Sequence, residues 1–90
     1  MILDYDRGEK QLSVEITHPS NDINEHYIRK VTIKNNSQIV KEHYSFRQAH
    51  PHKFTLKFPL IAEAGDVIEV KVYCSEGGSR TAKLIIEEIE

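Results

Sequence analysis

Five histidines, all between His18 and His52, and a single cysteine, Cys74, are the side chains of this sequence best suited to chemistry beyond packing. They fall in three short groups: His18-Pro19, Glu25-His26-Tyr27-Ile28 and Tyr73-Cys74. His18 is expected to close one strand, His26 to open the next, and Cys74 to end a later strand just before Gly77-Gly78. If those strand ends share a pole, two imidazoles and a thiolate converge there. Such a set suits iron(II), zinc or copper, and not magnesium or calcium, which prefer oxygen donors. His50-Pro51-His52 is the other close pair of imidazoles and is an outside candidate for the same pole, while His43 is expected at the surface.

Each of these residues also has a structural reading. Cys74 continues the apolar face of Ile68, Val70 and Val72, where an unpaired cysteine is commonly a small buried hydrophobe. His18, before a proline, can simply bond locally in a turn. Other chemistries lack their residues. There is no Gly-rich phosphate loop, no G-x-S-x-G elbow and no H-E-x-x-H pair. Asp4-Tyr5-Asp6-Arg7-Gly8 has no third calcium ligand and no distal glutamate, and is expected to be a turn. One cysteine excludes an internal disulfide and any four-cysteine cage. Blue-copper centres take further ligands shortly after their cysteine, and no histidine or methionine follows Cys74.

The elements that must position these groups have a period of two. Leu12, Val14 and Ile16 alternate with polar residues, as do Phe54, Leu56 and Phe58, and Ile68, Val70, Val72 and Cys74. Ala82, Leu84 and Ile86 do the same near the end, and Ile2 to Tyr5 form a short start that Asp6 to Lys10 turns back. His26 to Lys34 place Tyr27, Val31 and Ile33 on one face and Ile28 on the other, which calls for a bulge near Arg29–Lys30 or cover on both faces. Gln38 to Phe46 place Val40, Tyr44 and Phe46 opposite Ile39 and His43. Breakers at Pro19-Ser20, Asn35-Asn36-Ser37, His50-Pro51-His52, Ala64-Gly65-Asp66 and Ser75 to Ser79 separate the runs. About seven short strands without a helix describe an all-β antiparallel sandwich.

On His18-Pro19, Glu25-His26-Tyr27-Ile28 and Tyr73-Cys74 before a glycine turn, the chain resembles the iron-binding domain of desulfoferrodoxins and superoxide reductases, from about Gly8 to Gly78. The resemblance implies an immunoglobulin-like sandwich and a non-haem iron held by four histidines and an axial cysteinate, where superoxide is reduced. His18 and His26 match two of the equatorial histidines and Cys74 the axial thiolate. The family's ligand three positions after the cysteine is replaced by Gly77, and its first histidine lies upstream of the matched region. The spacing from His18 to His26 is also longer than in the family. The implied ligand set is therefore incomplete. A second resemblance, carried by His18-Pro19, His26 to Val31, the Phe54-to-Phe58 strand, Ala64-Gly65-Asp66 and Gly78 to Thr81, is to the Z subunit of the bacterial thiosulfate-oxidising sulfur-carrier pair. That subunit has the same fold, binds a partner protein and holds no metal.

Ninety residues with a formal net charge of -2 fit one domain over residues 1–90 and argue against a duplex nucleic-acid binder, which must neutralise many phosphates. No apolar run approaches the ~20 residues that a membrane helix needs, and no secretory leader is legible, so a cytoplasmic protein is expected. The function that the resemblance implies is iron binding of the desulfoferrodoxin type or a degenerate remnant of it, without full superoxide reductase activity and, where redox use towards superoxide survives, with a separate electron donor. The alternative is a non-catalytic interaction module that offers a sheet face or edge to a protein partner or to a second copy. Its exposed Lys53, Lys57, Lys71 and Lys83 would then solubilise the sheet.

Overall fold

Each period-two run is a strand in the computed structural model, which describes residues 1–20, 22, 24–46, 48 and 50–87. The strands are β1 (Ile2–Asp6), β2 (Gln11–Thr17), β3 (Ile28–Asn35), β4 (Gln38–Tyr44), β5 (Lys53–Pro59), β6 (Val67–Cys74) and β7 (Ser79–Ile85). Among the described residues there is no helix, and so none long and apolar enough to cross a membrane. Two antiparallel sheets result, one ordered β1-β2-β5 and the other β4-β3-β6-β7. The chain changes sheet after β2, β4 and β5, the crossover pattern of an immunoglobulin-like sandwich.

Alternation explains the core. Leu12, Val14 and Ile16 of β2 and Ile68, Val70 and Val72 of β6 are all buried, and their even-numbered positions share one face of each strand. Ile28, Val31, Ile33, Phe54, Phe58, Leu60 and Ile86 complete the same cluster. Each such side chain contributes about 1.5–3 kcal/mol on leaving water.

Two strands depart from simple alternation. The register of β3 against β6 shifts between Ile28 and Lys30, so Arg29 is the extra residue of a bulge. The bulge returns Ile28 to the face of Val31 and Ile33, where it is buried. Tyr27, expected on that face, precedes the strand and is only half-buried. Strand β4 was expected to turn Val40, Tyr44 and Phe46 to one face. Instead Val40 and Tyr44 are 49% and 58% exposed, and Phe46 lies beyond the strand at 86%. The reason is position: β4 is an edge strand of the four-stranded sheet, and the opposing sheet has one strand fewer. His43, directly across from Val31, supplies its inward contact, an edge-to-face approach to Phe58 at 5.4 Å. Of the four lysines expected at the surface, Lys53, Lys57 and Lys83 are exposed and Lys71 is half-buried.

The β3–β4 hairpin turns on Asn36 and Ser37, both with positive φ (50° and 72°), as a two-residue turn matched to strand twist requires. Asp66 anchors it. Its carboxylate accepts from the Glu63 backbone N–H at 2.9 Å and from the Asn35 and Asn36 side-chain amides at 3.0 and 3.1 Å. Those bonds, the Glu63 one foremost, hold the Asp66 carboxyl below its ordinary value of 3.8. A depressed folded value means that the unfolded chain binds the proton first as pH falls. The contribution of Asp66 is therefore complete well above pH 3.8 and declines below it, through the depressed folded value. Denaturant melts of wild type and Asp66→Asn are expected to differ at pH 6 and to converge in acid. A difference that persists unchanged to the acid limit would refute this assignment.

Candidate metal centre

The inward columns of the core lead to one pole of the sandwich. Two residues beyond Ile16 in the β2 column is His18, and two beyond Val72 in the β6 column is Cys74. Ile28 is paired in register with Cys74, and His26 lies two residues before it. One potential ligand atom from each of His18, His26 and Cys74 lies within 4.8 Å of the others, and all three residues are half-buried. His18 Nε2 is 3.3 Å from Cys74 Sγ, and the two imidazole rings meet edge to face at 4.6 Å between centroids. Cys74 is thus not enclosed by aliphatic neighbours. It stands on a cleft of about 290 Å³, with His18 beside it.

Short-range polar contacts hold the three arms. The pairing of β2 with β5 continues past Thr17, with the His18 N–H donating to the His52 carbonyl at 2.8 Å and the Ser20 N–H to that of Pro51 at 2.6 Å. The Ser20 hydroxyl donates to the carbonyl of His26 and so ties the first arm to the second. Ser75 ties the second to the third. Its N–H donates to the Tyr27 carbonyl at 2.8 Å, its hydroxyl donates to the Glu25 carbonyl at 3.1 Å, and it accepts from the Tyr27 N–H at 3.0 Å. After Cys74 the chain turns through Gly77 and Gly78, whose φ values of 102° and 84° strongly favour glycine there. The position that is a histidine in the desulfoferrodoxin pattern therefore carries no donor here.

Hydrogen bonding sets which tautomer each imidazole takes in its neutral form. Gln48 is 1% exposed, and its amide nitrogen donates to the carbonyls of His18 and His50, each at 2.7 Å. That fixes the amide orientation, so Gln48 Oε1, 2.7 Å from His18 Nδ1, must accept. His18 accordingly carries its proton on Nδ1 and presents the Nε2 lone pair to Cys74. His26 Nδ1 lies 3.2 Å from a carboxylate oxygen of Glu76, which likewise only accepts. Its Nε2 is left without that proton. An acceptor behind each ring is the outer-shell arrangement that orients ligating histidines and raises their basicity.

Two imidazoles, which ligate in their neutral form, and a cysteine, which ligates as the thiolate, fit a borderline or soft divalent ion with coordination positions to spare. Among the described residues the cluster has three donors, fewer than the five that a desulfoferrodoxin-type centre would require. His50 and His52 do not join the cluster: their residues are exposed, and their backbone carbonyls serve Gln48 and His18. His43 is occupied with Phe58 and the Ser45 hydroxyl. Ser20, Gln48, Ser75 and Glu76 were not singled out from sequence. Ser75 and Glu76 adjoin Cys74 and carry that local signal, whereas nothing around Gln48 marks it. In comparisons with protein-family models, with curated proteins and with solved structures, no match to the chain was found.

Proposed function

We propose that the chain binds one transition-metal ion through His18, His26 and Cys74. The observation that carries this is the pair of oriented imidazoles: Gln48 and Glu76 each occupy a ring Nδ1, beside a sulfur whose distance to a nitrogen of each ring is at most 4.8 Å. The resemblance to desulfoferrodoxins points to iron(II), with superoxide reduction as the activity that goes with it, and the three donors equally admit zinc and copper. A bound ion would supply a Lewis-acidic and redox-active centre. The protein's own part is to hold the rings in one tautomer, to provide the thiolate and to leave a cleft open to a small ligand. Protein purified without a metal-binding tag is expected to take up one equivalent of iron(II), zinc or copper, by elemental analysis after gel filtration. Stoichiometric loss of free-thiol reactivity is expected with it. Failure to retain any of the three ions would end the proposal.

The exposed β4 edge favours a second reading, that of an interaction module. Ile39, Val40 and Tyr44 stand on a strand whose outer side has no partner among the described residues. Pairing of such an edge with a second copy or with another protein would cover them. Sedimentation of the metal-free chain as a dimer would support it, and a strict monomer would remove its homodimeric form.

A further inference from the structure

The cleft that reaches His18 and Cys74 has an apolar floor of Ile16, Ile28 and Val72, and Met1 forms part of its wall. Antiparallel pairing of Ile2 with Glu15 carries Met1 alongside Ile16, two residues from His18. Met1, Leu3 and Tyr5 are the alternate, half-buried residues that pack on the core, so Met1 lies on the inner face at the same pole as the cluster. It is also the single methionine of the chain. Resting on the metal-binding proposal above, we infer that the Met1 thioether is the fourth protein donor, reaching the ion from the cleft and making the site a copper site.

The chemistry follows from the donors. Two imidazoles and a thiolate with a weaker thioether form the set that binds copper, and a thioether adds little for zinc or iron(II) beside water or an anion. Methionine is unbranched, with three rotatable side-chain bonds, and can adjust its sulfur within a cleft wall where Ile16 and Val72 are fixed by packing. The sequence has no methionine after Cys74. Strand pairing brings one from the other end of the chain.

The lone methionine makes the test direct. The full chain is labelled with selenomethionine, loaded with copper(I) under anaerobic conditions and measured by X-ray absorption at the copper edge. A selenium scatterer in the first shell, with nitrogen and sulfur, is the expected result. In Met1→Leu, produced behind a cleavable tag so that position 1 can be chosen, copper(I) affinity is expected to fall by at least about tenfold, the size of effect that loss of an outer-shell partner already has. Zinc affinity should stay unchanged. Copper bound through nitrogen and sulfur without selenium overturns the thioether assignment and leaves the three-donor site intact, as does zinc or iron(II) uptake without copper. Retention of no ion at all removes the metal proposal itself.

Discussion

Cys74→Ser is expected to lose nearly all metal-induced stabilisation while keeping the fold. At a free-ion concentration a hundred times its dissociation constant, one site stabilises the native state by about 2.7 kcal/mol. For a chain of this size that corresponds to a rise of roughly 10–20 °C in Tm. Removing the sulfur takes away a first-shell donor, which should exceed the about 10–100-fold cost of losing an outer-shell partner. At the same ion concentration a hundredfold weaker site contributes only about 0.4 kcal/mol. The metal-free variant should melt close to the metal-free wild type, because Cys74 is half-buried at a strand end and a hydroxyl can still bond to His18 Nε2. Thermal melts with and without zinc check this, and equal shifts in the two proteins would show that Cys74 is not a ligand.

Gln48→Leu is the second large effect, and it acts on stability and affinity together. The leucine keeps the volume but strands the His18 Nδ1–H and the carbonyls of His18 and His50, all served by one buried amide. Each unsatisfied buried group costs about 1–3 kcal/mol; with His18 half-buried and His50 exposed, a loss of about 2–4 kcal/mol is expected, a large share of the 5–15 kcal/mol typical of a domain. Zinc affinity should fall about 10–100-fold as the ring loses its fixed tautomer. Gln48→Glu separates the two roles. An oxygen still faces His18 Nδ1, but a carboxylate now opposes two carbonyl oxygens, so stability should fall while zinc affinity is retained. If both variants lose affinity equally, Gln48 supports the loop and does not orient the ring.

The sandwich was legible because its signal is local. The alternation of Leu12, Val14 and Ile16, and of Ile68 to Cys74, states which face each strand buries without reference to any other strand. The proximity of His18, His26 and Cys74 was legible for a related reason: each stands at or beside the end of a strand whose polarity the turns reveal. The exposure of Val40 and Tyr44 was not, since it depends on how many strands the opposite sheet contains. Gln48 was invisible because its burial comes from carbonyls at His18 and His50 that a loop folds around it. The Arg29 bulge is one of the two readings that the pattern from His26 to Lys34 allows, and Tyr27 departs from that pattern because β3 begins only after it.

The cluster joins two sheets. His18 extends from β2 in the three-stranded sheet, while His26 precedes β3 and Cys74 ends β6 in the other. Antibody domains place a disulfide between the corresponding second and penultimate strands, an option closed to a chain with one cysteine. An ion gripped here would be a reversible rivet between the same pair of strands, set at one end of the sandwich. Amide protons near Ile16, Ile28 and Val72 would then exchange with solvent only when the whole molecule opens, and removing the ion would loosen that end of the protein before the other.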